Sequence, residues 1–520
     1  MKHGPRVGVL RGPSRPLKRN PFALLLVLVL AAVAGCSGTS PASPSASATQ
    51  AQAKTPIVIG QTSVLSSLDP FKESWSLTAA GVGEYVFMLQ PDGTLTSRFV
   101  DKLQRTDDNN WTMTVKEGPK FSDGSPVDAK ALAEGLNAIQ KNNPLSNASA
   151  GVITFTPEGT TLKARTERPT ADLASILSEW SNVVFKAGGG DKNHFTGPYQ
   201  VKAFTAKTSL ELTPNTHYPD AERRPEVTLK AFPDVEAMKL ALQSSSIDMA
   251  FTITPDIAGQ LEGASGIKVK SIDAGYQYFG RPNLTSGPLA DLKVRQALDK
   301  GLDRNAYVKA LKGGAVATGT FARYYSFAGK EDLTPNADEA NRILDEAGWA
   351  KGADGIRAKN GERLSVRLVT YPMRPDLSII MQVMVSQLKE LGIDSSTSVV
   401  DDIQGAVKEG KYDLALWAQH TAPTGNPSFF LNQFFRTDGA ANLTGYSSPA
   451  TDEMLTQLAA LPAGPDRDAL AVKVQAQIRA DQAMLFLVDP QWHIGVTDRL
   501  STYQPYCGDY FVVDAKLGLS

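Results

Sequence analysis

The chain has 520 residues, 42% of them hydrophobic, which is enough for two or three domains with a full-sized core. Its 53 basic and 54 acidic residues nearly balance, so no basic surface for a nucleic acid is expected. Six of the basic residues lie in the first 36 residues, which contain no acidic residue; removing them leaves a net charge of −7 for the rest. We therefore predict a mildly acidic body behind a basic N-terminal segment.

The first 36 residues have the pattern of a secretion signal. A basic stretch ending at Arg19 precedes an apolar run over residues 22–35. As a helix this run would reach about 21 Å, short of the ~30 Å hydrocarbon core of a membrane, so it is typical of a signal peptide. It ends at Val33-Ala34-Gly35-Cys36, which resembles the lipobox of bacterial lipoproteins. The resemblance implies a diacylglycerol on the Cys36 thiol; an ordinary signal peptide with an incidental cysteine is the alternative.

Two expectations follow from a lipidated Cys36. The chain has two cysteines, so Cys507 is left without a disulfide partner and is predicted to be a small buried hydrophobic side chain. Residues 37–56 are rich in Ser, Ala and Pro and nearly uncharged, which predicts a flexible tether of about 25 Å. The tether either lets the body move above a membrane or is a passive spacer.

From residue 57 onward, strand patterns alternate with amphipathic helix patterns, which predicts an α/β fold. After Pro375, apolar side chains repeat at helical spacing and Gly392 supplies a left-handed C-cap. A strand on either side of this helix predicts a parallel βαβ unit, with Met381 and Met384 in the core. The full apolar stripe is Leu377, Ile380, Met381, Met384, Leu388 and Leu391. Strands are predicted at residues 57–59, 111–115, 209–213, 226–230, 365–369 and 412–416.

Catalytic motifs are absent from the sequence. It contains no His-Glu-x-x-His, Cys-x-x-Cys, Gly-x-Ser-x-Gly or Walker A pattern, and its five histidines are scattered. The adjacent carboxylates Asp107-Asp108 and Asp401-Asp402 are typical of turns and helix N-caps. We therefore predict a binding protein that is not an enzyme and has no cofactor.

Several ordered stretches resemble the family 5 extracellular solute-binding proteins of bacterial peptide and nickel importers. One starts at the strand of Trp111 and continues through Phe121-Ser122-Asp123-Gly124 to Pro126, as a strand, a tight turn and a helix start. Another is Phe195-Thr196-Gly197-Pro198-Tyr199. Further matches lie at residues 232–250, 283–304, 340–349 and 412–449. Together they extend from about residue 57 to the C-terminus.

The resemblance implies an α/β fold of the periplasmic-binding-protein type II kind, with two lobes and a ligand cleft between them. The first lobe is expected at residues 57–282, including an extra subdomain at about 84–190. The second lobe is expected at residues 283–488, and residues 489–520 are expected to return to the first lobe.

The resemblance also implies how such a protein works. The lobes are expected to cross near residues 278–283 and 488–492 and to close on a ligand about these crossings. The closed form would deliver the ligand to the permease and ATPase subunits of an ABC importer, at the outer face of the cytoplasmic membrane. We expect a monomer, held to the membrane by its lipid, with no nucleic-acid partner.

Loops at strand ends are expected to line the cleft. The best candidate follows the strand at 412–416 and combines an aromatic ring, an imidazole and polar side chains. Its candidate ligand-binding residues are Trp417, His420, Thr424 and Asn426. These side chains either contact the ligand or only pack the loop.

Three further candidates lie elsewhere in the sequence. Arg281 and Tyr278 flank the first expected crossing, and Trp180 offers a flat apolar wall from the extra subdomain. Arg281 either pairs with a ligand carboxylate or bridges surface carboxylates.

The ligand is expected to be a short peptide or a peptide-like molecule, with a chelated metal such as nickel as the alternative. Peptide-binding relatives often place a carboxylate for the ligand's α-amine in this loop, but no Asp or Glu lies between Trp417 and Pro427. Imidazole suits nickel, so His420 would serve as a metal ligand only if the metal brings its own chelator. An enzyme or an adhesion protein on the same fold is a further alternative.

Overall fold

The structure is a computed structural model that describes residues 54–90, 93–188 and 192–519. The predicted signal segment, Cys36 and the tether up to residue 53 lie outside these residues. Among the described residues, no helix is long and apolar enough to span a lipid bilayer.

The described residues form 24 strands and 13 α-helices. In chain order the strands are β1 (Ile57–Gln61), β2 (Met88–Leu89), β3 (Leu95–Thr96), β4 (Val100–Arg105), β5 (Asn110–Val115), β6 (Ile153–Glu158), β7 (Thr161–Thr166), β8 (Phe185–Ala187), β9 (Asn193–Phe195), β10 (Tyr199–Thr205), β11 (Ser209–Pro214), β12 (Val227–Ala231), β13 (Met249–Ile253), β14 (Ile267–Asp273), β15 (Tyr276–Pro282), β16 (Ala315–Val316), β17 (Ala350–Lys351), β18 (Arg357–Lys359), β19 (Glu362–Arg363), β20 (Ser365–Thr370), β21 (Asp394–Val399), β22 (Leu414–His420), β23 (Leu485–Asp489) and β24 (Gln491–Thr497). The helices are α1 (Ser74–Ala79), α2 (Ala129–Asn142), α3 (Leu173–Ile176), α4 (Val235–Gln243), α5 (Pro255–Leu261), α6 (Leu292–Gly301), α7 (Arg304–Ala310), α8 (Ala337–Glu346), α9 (Pro375–Glu390), α10 (Ile403–Lys408), α11 (Ser428–Phe435), α12 (Pro449–Ala460) and α13 (Pro465–Ala480).

Seven strands form the sheet of the first lobe, in the order β10-β11-β12-β1-β13-β24-β14. β1 lies in the middle of this sheet and pairs in parallel with β12 and β13. Its Ile57 and Ile59 are fully buried, because alternate side chains of a central strand enter the core. The carboxyl ends of the three parallel strands therefore meet at one edge of the sheet.

Six strands form the sheet of the second lobe, in the order β16-β23-β15-β22-β20-β21. β20 pairs in parallel with both β21 and β22, and α9 connects β20 to β21, as the predicted βαβ unit requires. Met381 and Met384 are buried in the core, and Gly392 takes the left-handed conformation just beyond α9. The two sheets confirm the predicted two-lobed α/β class.

A smaller sheet, β4-β5-β7-β6, packs with α2 around a core of its own. Trp111, Met113 and Phe155 are among the buried side chains of this core. The Asp128 side chain caps α2 by accepting a hydrogen bond from the amide of Ala131. The predicted bounds of this subdomain, about residues 84–190, stay a prediction.

The chain passes between the two large sheets twice. The first passage lies between β14 and β15, at residues 274–275, which is earlier than the predicted 278–283 because β15 already pairs with β22 and β23 of the second sheet. The second passage lies at Pro490, between β23 and β24, within the predicted 488–492. The Ala274 amide donates to the Pro490 carbonyl at 3.0 Å, so the two connecting segments lie side by side.

The Gly197-Pro198-Tyr199 motif packs closely against the backbone of residues 81–82 in the first lobe. The Gly197 amide donates to the Val82 carbonyl at 2.9 Å, and the Tyr199 amide donates to the Gly81 carbonyl at 3.0 Å. A Cβ atom at residue 197 would overlap the backbone oxygens of Gly81 and Val82. The motif therefore requires glycine at this position for lack of space.

We predict that Gly197→Ala lowers the free energy of unfolding by about 2–3 kcal/mol, because neither backbone segment can yield without losing its hydrogen bond. Urea unfolding followed by tryptophan fluorescence measures the change. Gly259→Ala is the matched control: Gly259 is exposed in α5 with no atom near its missing Cβ, so alanine there should be neutral or stabilising by up to about 1 kcal/mol. Equal stability of the two variants would contradict the assignment.

Candidate functional site

A cavity of about 700 Å³ lies where strand ends of the two large sheets face each other. Its first wall contains Gln61, which ends β1, and residues 62–66, which follow it, together with Phe251 and Thr252 of β13. Its second wall contains residues 371–374, which follow β20, and Asp401 and Asp402, which follow β21. Both walls are thus built from the carboxyl ends of parallel strands, where α/β proteins place their ligands.

The backbone of the first wall is strained at Thr252. This β-branched residue has a φ of +61°, at the irregularity of β13 between Ala250 and Ile253. A branched side chain rarely adopts the left-handed region, and such residues concentrate at functional sites. The bulge at Thr252 therefore sets the local shape of the cavity wall.

Ionisable side chains border the cavity on both walls. They are Glu73, Lys207, Arg374, Asp401, Asp402 and Asp509. Two of the carboxylates have partners within their own wall. Glu73 accepts hydrogen bonds from the hydroxyls of Ser66 and Ser76 at 2.6 and 2.7 Å. Asp402 caps α10 through the Gly405 amide, as the sequence predicted for this pair of carboxylates.

The buried ion pair of Arg374 and Asp509 joins the two lobes beside this cavity. Nη2 of Arg374 lies 2.5 Å from Oδ2 of Asp509, and both side chains are almost completely buried. Burial alone would lower the pKa of Arg374. Asp509 and the neighbouring tyrosines raise it by more than burial lowers it, so the pKa is raised overall. The guanidinium of Arg374 therefore stays charged, and its ion pair with Asp509 connects the loop after β20 to the C-terminal segment.

Aromatic rings enclose the guanidinium of Arg374. Its Cζ lies 5.0 Å from the ring centre of Tyr276 and 4.9 Å from that of Trp492. Tyr276 also donates a hydrogen bond to Asp509. Tyr276 follows the first passage between the sheets and Trp492 follows the second. The ion pair is thus fixed directly on the connecting segments.

Tyr278, a predicted site residue, lies next to this cluster and not on the cavity. Its hydroxyl donates to Oδ2 of Asp376 at 2.9 Å and accepts from Nε1 of Trp492 at 2.9 Å. Burial raises the pKa of Asp376 to about 6, although the Tyr278 hydrogen bond and the charge of Arg374 lower it. Tyr278 therefore positions the start of α9.

His420, the predicted metal-binding candidate, is sealed behind Tyr276. Its ring contacts the rings of Tyr276 and Tyr510 at centroid distances of 5.4 and 5.1 Å. Burial lowers the pKa of His420 to about 3, so the imidazole is neutral, and its Nδ1 has no partner among the described residues. The sulfur of Cys507 lies 3.7 Å from Nε2. Cys507 is only partly buried, contrary to the prediction of a buried side chain, although Asp509 and Tyr510, which follow it closely, are buried.

Trp417 and Arg281 form a second group behind the wall. Trp417 packs against Tyr371, which borders the cavity, at a ring-centre distance of 5.9 Å. Arg281 lies between the rings of Trp417 and Phe434 and donates to the Ala441 carbonyl at 2.6 Å. These contacts bury the Arg281 guanidinium, and it does not border the cavity.

Thr424, Asn426 and Trp180 lie where the second lobe meets the small subdomain. The hydroxyl of Ser175 donates to Thr424 at 2.9 Å, and the amide of Asn426 donates to Asp172 at 3.2 Å. Trp180 packs edge-on against Phe429 of α11. The structure therefore places none of the seven predicted site residues on the cavity surface, and divides them among three groups next to it.

The sequence prediction missed the residues that do border the cavity, including Gln61, Tyr371 and Arg374. The sequence does predict strands at β1 and β20, and the residues at their carboxyl ends, 61–66 and 371–374, are where ligand sites of parallel strands lie.

No group of three or more His, Cys, Asp or Glu side chains that could hold a metal ion occurs in the described part of the chain. The cavity walls offer carboxylates and one buried guanidinium, which suit polar and charged groups of an organic molecule.

Comparison with known proteins identifies the family. The profile of the bacterial extracellular solute-binding proteins, family 5 Middle, matches residues 94–442. The chain belongs to this family. Its members are solute-binding proteins and not enzymes, and they work with ABC permease and ATPase components.

Curated relatives cover most of the chain at low identity. The nickel-binding protein NikA of Staphylococcus aureus is 24% identical over 387 residues, which are 73% of this chain and 77% of NikA. The glutathione-binding protein GsiB of Escherichia coli K12 is 23% identical over 444 residues, which are 79% of this chain and 84% of GsiB.

Solved structures share the fold. NikA of S. aureus, in complex with Ni(L-His)2, superposes with a TM-score of 0.82 at 21% identity and covers 89% of this chain and 99% of its own. The oligopeptide-binding protein AppA of Bacillus subtilis, in complex with a nonapeptide, has a TM-score of 0.76 at 19% identity and covers 87% of this chain and 96% of its own. The two-lobed architecture is therefore that of known solute-binding proteins.

The raised pKa of Asp376 yields a prediction for stability. The folded protein holds this proton up to about pH 6, whereas the unfolded chain releases it near pH 3.8, so Asp376 weakens the fold as the pH rises through that window. Asp376→Asn should therefore gain on the order of 2 kcal/mol relative to wild type between pH 4 and pH 7. Urea unfolding at both pH values measures this; a difference between the two proteins that does not change with pH would contradict it.

Proposed function

We propose that the protein is the extracytoplasmic substrate-binding component of an ABC importer, and that it captures a short peptide or peptide-like ligand in the 700 Å³ cavity. The cavity between strand ends of the two lobes carries this proposal. Its volume lies within the range of small-molecule sites, about 300–1,000 Å³. The protein changes no bond of the ligand and presents it to the permease as a monomer.

Closure supports the capture of a ligand. The lobes are joined by two short segments in hydrogen-bond contact, at residues 274–275 and at Pro490. Such segments can absorb a rigid-body rotation of one lobe against the other. Away from them, the second lobe meets the small subdomain through the ring contact of Trp180 with Phe429 and through polar contacts, such as Thr424 with Ser175 and Arg467 with Asp172. Water can replace the polar contacts when the lobes separate.

A chelated metal in the same cleft is the second candidate ligand. His420 favours it, since a neutral imidazole with a free Nδ1 is the form that binds metals. The chelate would reach His420 only after Tyr276 or the C-terminal segment around Cys507 moves aside, because His420 is 1% exposed. Both ligand classes occur among the relatives, since NikA is solved with Ni(L-His)2 and AppA with a nonapeptide, and GsiB is named a glutathione-binding protein.

Calorimetric titration of the purified full chain with trialanine, glutathione and the nickel(II) complex of L-histidine tests the proposal. We expect saturable binding of at least one of them and a smaller radius of gyration by X-ray scattering in its presence. Ala79→Trp, on the cavity wall, should abolish binding by filling the cavity, whereas Ala337→Trp, on the exposed start of α8, should not.

His420→Ala separates the two ligand classes in the same titrations. It should weaken binding of the nickel complex strongly and leave binding of trialanine nearly unchanged if the ligand is a chelate. Binding that survives Ala79→Trp would remove the cavity from the proposal, and no binding of any of the three compounds or of a copurified molecule would remove the function.

We place the protein on the outer face of the cytoplasmic membrane, anchored by a lipid on Cys36. The lipobox-like Val33-Ala34-Gly35-Cys36 supports this anchor, and a chain that delivers ligand to a permease gains effective concentration by being tethered beside it. Cys36→Ala should move the protein from the membrane fraction of expressing bacteria to the soluble fraction. Cys507→Ala should leave it with the membranes; loss of membrane attachment in both variants, or in neither, would contradict the anchor.

A further inference from the structure

A second, much smaller cavity lies where the small subdomain meets the second lobe, a contact region that we call the subdomain interface. The small subdomain contributes Asp172 and Glu179 to its wall, and the second lobe contributes Asn426, Ser428 and Ala459. The cavity measures about 10 Å³, which is room for at most one water molecule. A side chain on this wall is therefore shielded from water while the two sides are joined, and meets water once they separate.

Glu179 is buried in this wall with half of its carboxyl group unpaired. The residue is 1% exposed, and the Ser149 hydroxyl donates to its Oε1 at 2.5 Å. Its Oε2 is buried and has no hydrogen-bond partner among the described residues. Burying a carboxylate without a counter-charge is strongly unfavourable, whereas burying the protonated acid costs much less. The joined interface therefore favours the neutral form of Glu179.

The charged groups near Glu179 do not supply a counter-charge. The second-lobe residues of the cavity wall are all uncharged. The three arginines of the interface each pair with another group: Arg467 with Asp172 at 3.2 Å, Arg168 with the carbonyls of residues 147 and 148, and Arg436 with Asp438. Within the described part of the chain, none of them forms an ion pair with Glu179.

The pKa of Glu179 reflects these surroundings. Burial raises this pKa well above its usual value of 4.5, the hydrogen bond from Ser149 lowers it by less, and the charge of Asp172 adds to the rise. When the interface opens, water reaches the carboxyl group and the pKa returns towards its usual value. Closing the interface near neutral pH must therefore either take up a proton or bury a charge.

Other contacts across the interface involve no ionisable group. The Ala171 amide donates to the Ala459 carbonyl at 3.0 Å, and the ring of Trp180 packs against that of Phe429. These contacts form equally well in acidic and in neutral medium. The ionisation of Glu179 is thus opposed to an interface whose uncharged contacts stay the same.

We propose that Glu179 couples the closure of the two lobes to the uptake of a proton, so that an acidic medium favours the ligand-holding form; this rests on the solute-binding function proposed above. The closed form keeps the proton over a pH range in which the open form has already lost it. Closure is therefore favoured at the acidic end of this range, and the advantage is lost as the pH rises from about 4.5 upward. Glu179 does not border the ligand cavity, so it acts on affinity only through the lobes.

Titrations at pH 5, 6, 7 and 8 test the proposal, with trialanine, glutathione and the nickel(II) complex of L-histidine as probes. The full chain is used as wild type, Glu179→Gln and Glu117→Gln. Comparing each variant with wild type at the same pH cancels the ionisation of the probe itself. For the probe that binds, wild type should lose about 10- to 100-fold in affinity relative to Glu179→Gln between pH 5 and pH 7, since each pH unit within the range is worth up to a factor of ten.

Glu117→Gln is the matched control. Glu117 is an exposed glutamate of the same small subdomain, so its replacement removes the same charge without changing the interface. This variant should follow wild type at every pH. An equal change of the affinity ratio in both variants would assign the effect to net charge and would overturn the proposal.

Proton uptake can be measured on the wild type alone, so the test does not depend on the folding of a variant. Calorimetric binding of trialanine or glutathione at pH 6, in buffers of different ionisation enthalpy, counts the protons that are taken up. The carboxyl and amino groups of these peptides do not titrate at this pH, because their pKa values lie near about 3.5 and about 8 or above. Wild type should take up as much as one proton per bound peptide, and Glu179→Gln should take up close to none.

The outcomes separate the inference from the function. An affinity ratio between wild type and Glu179→Gln that stays constant from pH 5 to pH 8, or binding of a peptide to wild type without proton uptake, would overturn proton coupling while solute binding stands. Absence of every ligand, including a copurified one, would instead refute the proposed function and the inference with it.

Discussion

A buried cation needs a buried counter-charge, and this requirement organises the centre of the molecule. The guanidinium of Arg374 is 7% exposed and the carboxylate of Asp509 is 6% exposed. Burying either ion alone would cost several kcal/mol of folding free energy, so the buried position of each requires the other as its partner. Arg374 belongs to the loop after β20 in the second lobe, whereas Asp509 lies in the C-terminal segment beyond β24 of the first. Because the pair sits on Tyr276 and Trp492, it fixes both connecting segments and the base of the cavity at once.

The connecting segments owe their position to β15 and β23. Every residue of β15 is buried, and it pairs with β22 on one side and β23 on the other. Gln277 of β15 donates to Asp489 at the end of β23 at 2.6 Å, and burial raises the pKa of Asp489 to about 6. Fully packed strands therefore lead into both passages, so we expect a rotation of one lobe against the other to take place at residues 274–275 and at Pro490. We expect the contacts at the small subdomain to oppose such a rotation.

Local patterns predicted the elements well, and long-range pairing explains what they missed. β1, β5, β11, β12 and β20 overlap the strands predicted from alternation, because each has one buried and one exposed face or a short apolar run. β15 reads Tyr-Gln-Tyr-Phe-Gly-Arg-Pro, and nothing in that run shows which sheet it joins. The sequence therefore predicts the first passage at residues 278–283, later than the observed 274–275.

The candidate site was harder to predict for the same reason. Arg374 and Asp509 are 135 residues apart, and neither stands in a motif. The seven side chains chosen from sequence are of types that bind ligands, but each contacts other side chains of the protein instead of bordering the cavity. The sequence cannot separate the two roles, because an aromatic ring next to an imidazole or a guanidinium stabilises a core as well as it binds a ligand. Burial, which the sequence does not reveal, separates the two outcomes.

The loop after β22 has no carboxylate, and the C-terminal segment places one, Asp509, close to it. No Asp or Glu lies between Trp417 and Pro427, and His420 occupies the end of that strand. Asp509 brings a carboxylate to the same neighbourhood, since its partner Tyr276 contacts the His420 ring. Asp509 is already committed to Arg374 and Tyr276, however, so a ligand amine could claim it only by breaking the ion pair and leaving a buried guanidinium without its charge. The carboxylate closest to this loop is therefore held by the protein itself, unlike a loop carboxylate that is free to bind an amine.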